Sequence, residues 1–304
     1  MPELPEVQIT VNGLNNYLKG LKITAVWTNY NSAYHIGKDN IKNPKYFEYF
    51  KKEIVGKKII GARRVAKNVI ITLSNGSTIL IHMKMTGHLL YGNYVFEKSD
   101  KKDPWKGVSP KALTDSFNRH IRLVFSLSNK KYLALSDVRR FAKITHIREK
   151  DIEKTTHLEK LGPEPLAENF TNEKFLSRLT LRPNMKIKQA LIEQSLISGI
   201  GNIYSDELLW RADVLPTRKV KSIRPAEFKK MYKAMKTVLK AGIDFGGDSM
   251  SDYRNLLGER GCFQEKHRAY RKTGEKCSKK GCNGIILRTI IGARSTHFCN
   301  KHQK

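Results

Sequence analysis

The residues best placed to do chemistry stand at the start of the chain, Met1-Pro2-Glu3-Leu4-Pro5-Glu6-Val7. Trimming of Met1, expected before a small residue, turns Pro2 into an N-terminal secondary amine. Such an amine attacks an electrophilic carbon, a sugar C1′ for example, and forms an iminium, which is covalent catalysis of the Schiff-base kind. With an α-amino pKa near 8 against about 10.4 for lysine, roughly 10% of it is neutral at pH 7, against well under 0.1% of a lysine. Glu3 and Glu6 bring two carboxylates, one to donate a proton and one to orient or neutralise. The plainer alternative is a loose terminus that happens to carry prolines.

A second group lies at the other end. Cys277, Cys282, Cys299 and His302 read C-x4-C … C-x2-H, and thiolates with an imidazole suit a tetrahedral Zn²⁺. Four ligands leave no open position, so one structural zinc is expected, on a ribbon-like hairpin of 285–291 and 295–298 around Gly292-Ala293. The clustering favours metal over disulfides in a reducing compartment. Cys262 falls outside the spacing and is expected to be an ordinary buried cysteine. Arg294, beside the hairpin tip, could hold a phosphate bidentately; a solvated turn charge is the alternative.

A third group lies between two helical runs, at 196–204. Gly199 and Gly201 permit a sharp turn. Asn202 is expected to cap a helix whose free N–H groups bind phosphate. Lys188, one helix earlier, could add a phosphate contact or simply be solvated.

The elements that must position these groups follow from periodicity. Leu4, Val7, Val11, Leu14 and Leu18 predict a helix directly after the terminus, ended by Gly20. Residues 23–30 read as a strand. Hairpins are predicted at 69–82, around Asn75-Gly76, and at 121–135. Residues 95–117 are weakly patterned and read as a long loop. Helical periods follow at 175–179, 185–197, 202–211 and 225–241, after a connection at 149–166. The fold class is therefore α+β, in three parts: a β-rich domain over 1–148 led by a catalytic helix, a helical domain over 149–260, and a metal hairpin over 261–304.

In 304 residues, 57 lysines and arginines against 28 aspartates and glutamates give a formal charge of +29. That excess is spread along the chain and points to a polyanion, nucleic acid first, with an anionic membrane or a plain solubility charge as the alternatives. No transmembrane run or signal core is read, so an intracellular protein, not secreted, is expected.

Together these segments resemble the formamidopyrimidine-DNA glycosylase and endonuclease VIII family of DNA repair enzymes along nearly the full chain. The resemblance is carried by 2–7, 63–67, 81–87, 137–141, 161–166, 199–204 and 292–296, in the family's order, and the terminus is that of the formamidopyrimidine branch. It implies a β-sandwich followed by a helix–two-turns–helix domain and a zinc finger. It also implies a bifunctional DNA glycosylase/AP lyase acting on duplex DNA with oxidised purines or abasic sites, as a monomer, in a prokaryotic cytoplasm or in a nuclear, organellar or viral setting, with no redox cofactor or Mg²⁺. An oxidised-pyrimidine glycosylase and a non-catalytic DNA-binding relative are the alternatives. Position by position, the resemblance makes Pro2 the nucleophile, Glu3 the proton donor, Glu6 its support, and Lys67 the contact to the phosphate beside the lesion. His82, Lys188, Asn202 and Arg294 would grip phosphates. Met85, Arg139 and Phe141 would fill the hole left by the extruded nucleotide, because a base must leave the stack to be reached. Glu207 and Tyr270 match positions near the lesion pocket. The chain departs from the pattern at Lys84 and Ala142, which replace glycines, in the wider cysteine spacing and His302, and in longer segments at 32–52 and 95–117.

Overall fold

A computed structural model describes every residue except 31, 33, 34, 156 and 157, with only the backbone of Glu153. Those positions belong to the stretch after the first strand and to the expected connection at 149–166, and lie outside the described residues. The chain divides into two compact units, residues 1–155 with 246–262, and residues 156–245 with 263–304.

The first unit opens on helix α1, Leu4–Leu18, whose predicted stripe of Leu4, Val7, Val11, Leu14 and Leu18 is buried. Two antiparallel sheets follow. The first has the order β1 (Ile23–Thr28), β7 (Ile121–Leu127), β8 (Tyr132–Ser136), β5 (His88–Phe96), β6 (Trp105–Ser109). The second runs β2 (Ile59–Val65), β3 (Asn68–Leu73), β4 (Ser77–His82), β9 (Lys143–Arg148). Val69, Ile71 and Leu73 of β3, Ile79 and Ile81 of β4, and Leu123, Phe125, Leu133 and Leu135 of the other sheet share one core with α1. The odd-numbered spacing is the two-residue period of a pleated strand. Each such side chain contributes about 1.5–3 kcal/mol on burial, which is what anchors the terminus-bearing helix.

Three elements differ from expectation. Residues 95–117 are not a plain loop: Phe96 pairs with Trp105 between β5 and β6, and the Trp105 ring lies 5.1 Å from both Phe96 and Tyr132. Helix α2, Pro44–Ile54, sits in the 32–52 segment and the residues just beyond it. It starts at Asn43, whose side chain accepts the Lys45 N–H, and buries Phe50 and Ile54. Residues 246–262 group with the first unit instead of the helical one, because Tyr91 N–H donates to Leu256 O at 2.6 Å and Asn118 Nδ2 donates to Gly258 O at 3.1 Å.

The second unit holds α3 (Asn172–Thr180), α4 (Ile187–Ile192), α5 (Asn202–Ala212), α6 (Pro225–Asp244) and the hairpin β10 (Ile286–Ile291) with β11 (Arg294–Cys299). Helix α4 is shorter than its apolar period, since Glu193 turns extended and begins the bend to α5. Among the described residues no helix is long and apolar enough to cross a membrane.

Candidate functional site

The N-terminus is held, not loose. Pro2 and Glu3 are buried, while Met1 is 38% exposed. The device is Glu6. One carboxylate oxygen accepts the Glu3 backbone N–H at 2.8 Å and the other accepts the Asp248 N–H at 2.8 Å. The Glu6 carbonyl accepts from Thr10 Oγ1 at 2.9 Å and from the Tyr253 hydroxyl at 3.1 Å. Burial, with the Glu6 charge beside it, pushes the Tyr253 phenol far above its ordinary range, so it stays a donor. Gly247 has φ +83°, and a Cβ there would come within about 3.1 Å of both Glu6 and Tyr253. Sequence reading missed Tyr253, Asp248 and Gly247, which lie in a stretch without periodicity.

Two turns of the β-sandwich carry further candidates. Lys67 follows Ala66, at φ +54°, in the two-residue turn from β2 to β3, and is buried. Arg64 braces that turn, donating to Ala66 O at 3.0 Å and to Gln8 of α1 at 3.0 Å. His82 ends β4. Its Nδ1 accepts the Lys84 N–H at 3.0 Å, so in the neutral ring the proton sits on Nε2, as a donor. Lys84 itself has φ +55°, the conformation that a glycine takes without strain. Met85 beside it is half-buried. In the loop after β8, Arg139 and Phe141 are exposed, with the guanidinium carbon 4.6 Å from the ring centroid. The Phe141 ring is 47% exposed beneath that cation.

The second unit corrects two expectations. Lys188 is not at the surface. It is fully buried, its ammonium 2.5 Å from Asp206 Oδ1 and 2.9 Å from Asn202 O. Asp206 Oδ2 in turn accepts the His297 backbone N–H at 3.0 Å and lies 3.1 Å from its Nδ1. Lys188 thus ties α4, α5 and β11 together and cannot touch a phosphate directly. Asn202 is not the cap either. Gly201 takes that position, and Asn202 is the first helical residue, its amide donating to Ser295 O at 3.0 Å. Arg294 is exposed where expected, after a tip in which Gly292 and Ala293 have φ +56° and +59° and Gly292 packs on Gln189 of α4. Glu207 does not face open space: its carboxylate accepts the N–H groups of Arg268, Ala269 and Tyr270 at 2.8–3.1 Å. Burial raises its pKa all the same. The Tyr270 ring stands edge-on to His267 and His297.

Cys277, Cys282, Cys299 and His302 converge, with their ligand atoms all within 4.8 Å of one another. Cys277 Sγ is 3.3 Å from His302 Nδ1, and Cys282 Sγ is 3.6 Å from Cys299 Sγ. A tetrahedron with bonds of about 2.3 Å has sulfur–sulfur edges near 3.8 Å, so the donor set fits a metal ion. The supporting shell fits too. Backbone N–H groups of Lys279, Gly284 and Lys301 point at the three sulfurs, and His302 Nε2 lies 3.1 Å from Trp210 O. The Gly284 N–H holds the Cys282 thiol below its usual range. Cys262, expected to be buried, is exposed: its neighbours Gly261 and Phe263 turn inward and leave it facing water.

Comparison with known proteins gives a consistent picture. The family model described as formamidopyrimidine-DNA glycosylase N-terminal domain matches residues 1–144, and that of the H2TH domain of the same enzyme matches 161–254. The formamidopyrimidine-DNA glycosylase of Pelotomaculum thermopropionicum is 34% identical over 304 residues, covering 100% of this chain and 99% of its own. That of Herpetosiphon aurantiacus is 32% identical, covering 98% of each. Among solved structures, Lactococcus lactis Fpg in complex with abasic-site DNA superposes with a TM-score of 0.81 at 28% identity over 99% of both chains. A mutant form of that protein with DNA containing Fapy-dG gives 0.82 at 28% over 100% of both.

Proposed function

Because this chain belongs to the formamidopyrimidine-DNA glycosylase family, we propose that it is a bifunctional DNA glycosylase and AP lyase that excises 8-oxoguanine and formamidopyrimidines and nicks the strand by β,δ-elimination. The observation that carries this is the pinned terminus. A freely moving proline amine gains little from proximity, whereas one buried and fixed through Glu6 is held for attack on a single carbon.

After loss of Met1, the Pro2 nitrogen attacks C1′ as the bond from C1′ to the base breaks. Glu3 supplies the proton taken up on the departing side. The bond from C1′ to the ring oxygen then opens, the nitrogen's proton passing to that oxygen, and an iminium is left. Removal of a C2′ proton expels the 3′ phosphate, a second elimination expels the 5′ phosphate, and water releases Pro2. Lys67, His82, Asn202 and Arg294 are assigned to phosphates. Met85, Arg139 and Phe141 are assigned to the vacated space in the duplex. Lys188 acts indirectly, by fixing the first turn of α5, and Tyr270 marks a loop anchored on Glu207. Cys277, Cys282, Cys299 and His302 would hold one structural Zn²⁺, which when bound fixes the hairpin that presents Arg294. The charge of +29 supports a duplex DNA partner.

The test is a panel of duplexes with single lesions. Excision of 8-oxoguanine opposite cytosine should be fastest. A clear preference for oxidised pyrimidines or hydantoins would overturn the purine assignment and leave the Pro2 chemistry standing.

A further inference from the structure

The exposed loop that carries Arg139 and Phe141 has an unfavourable shape on its own. Arg140 between them has φ +56°, a left-handed conformation that costs a side chain about 1–2 kcal/mol. Three anchors beneath the loop hold it. Asp137, fully buried, accepts from the Tyr30 hydroxyl at 2.7 Å, the Thr86 hydroxyl at 2.5 Å and the Ala142 N–H at 2.8 Å. Thr86 Oγ1 accepts the Arg139 N–H at 3.1 Å, so the hydroxyl next to Met85 is bound to the loop of the other two void-filling candidates. The third anchor is Lys42. Its ammonium donates to Arg140 O at 2.6 Å and lies 5.2 Å from the centroid of the Tyr30 ring.

Lys42 comes from the stretch that leads into α2. It is buried, among the cations Lys84 and Lys143 and with Asp137 as the opposing charge. A lysine is costly to bury and is rarely found so without a definite partner. Here that partner is the carbonyl of the strained residue between Arg139 and Phe141.

We propose that Lys42 is a positioning residue for the void-filling side chains, so that discrimination of the base opposite the lesion depends on it through Arg140 O. This rests on the proposed function, in which Arg139 and Phe141 enter the duplex. The third side of the gap, Met85, is bound into the same unit through Thr86, and Lys42 sits outside all three.

The experiment compares Lys42→Met, which keeps the stem and removes the donor, with Lys42→Arg, which restores one. A duplex carrying a tetrahydrofuran abasic analogue opposite 2-aminopurine reports insertion by fluorescence, without any bond being broken. The 2-aminopurine response of Lys42→Met should fall, and its preference for lesions opposite C over A should shrink, by about fivefold, the worth of one hydrogen bond near 1 kcal/mol. Its lyase action on abasic single strands and its affinity for undamaged duplex should stay within about twofold, and Lys42→Arg should recover most of the loss. An unchanged response and preference in Lys42→Met would overturn the proposal. So would a loss that tracks the melting temperature, extends to single strands and is not rescued by arginine. Thr86→Val gives an independent arm, with the same loss expected. Should wild type show the fluorescence response but excise no lesion, the proposed activity fails while the positioning role stands. Should wild type show no response at all, the void-filling assignment fails and the role of Lys42 with it.

Discussion

Replacing Glu6 by glutamine isolates the device that holds the terminus. The wild-type carboxylate accepts two backbone N–H groups, of Glu3 and Asp248, each at 2.8 Å and both buried. The amide keeps one acceptor and turns a donor toward the other N–H. The lost charge-assisted bond is worth about 1.5–3 kcal/mol, and the N–H left buried without a partner adds about 1–3 kcal/mol. Even the lower end of that sum, near 3 kcal/mol, is a large part of the roughly 5–15 kcal/mol that stabilises a domain. It falls on the contacts that fix residues 2 and 3. Urea unfolding should therefore register a loss of about 3 kcal/mol. Borohydride trapping on an abasic duplex, measured where the protein is still folded, should slow by about ten- to hundredfold, since each 1.4 kcal/mol in the placement of Pro2 is a factor of ten. Affinity for undamaged duplex should barely change. Trapping at the wild-type rate in a Glu6→Gln protein that is folded but destabilised would show that the terminus needs no pin.

Other consequences are as direct. Lys188→Met leaves Asp206 as an uncompensated buried charge, and should cost about 3–5 kcal/mol in urea unfolding. A loss below about 1 kcal/mol would mean that the pair is not formed in solution. Cys299→Ala should abolish bound zinc and duplex affinity while the first unit stays folded, as elemental analysis and gel shift would report; zinc-free wild type that still binds DNA would contradict the assignment. Glu227 is held down to about 2, chiefly by Arg218 at 2.7 Å, against 4.5 ordinarily. A depressed carboxylate contributes stability that is present above its unfolded pKa and lost as pH falls through its folded one. The stability gap between wild type and Glu227→Gln should thus be full above about pH 5 and shrink toward about pH 2; a gap independent of pH would refute the pairing.

What the sequence revealed and what it concealed divide along physical lines. Local patterns were legible. The stripe of α1, the Asn75-Gly76 hairpin, and the C-x4-C and C-x2-H pairs each encode their geometry within a few residues. Partners distant in sequence were not. Nothing near Lys188 announces Asp206, 18 residues on, so its burial could not be read. Gly201 caps α5 in place of Asn202, and the Asn202 amide instead reaches Ser295 O, 93 residues away. Trp105 is a strand residue because Phe96 and Tyr132 pack on it, not because its lysine-rich neighbours alternate. The anchoring of Glu6 on Asp248, 242 residues apart, was likewise out of reach, although Glu6 itself stood out as a carboxylate beside a reactive terminus.

The most direct measurement is borohydride trapping of the processed chain on a duplex with an abasic site, followed by peptide mapping, beside a protein that keeps one extra residue ahead of Pro2. The expected result is a single adduct on the Pro2 nitrogen in the first and no adduct or strand cleavage in the second, whose nitrogen is an amide. An adduct on a lysine, or trapping that persists when Pro2 is blocked, would contradict the assignment of Pro2 as the nucleophile.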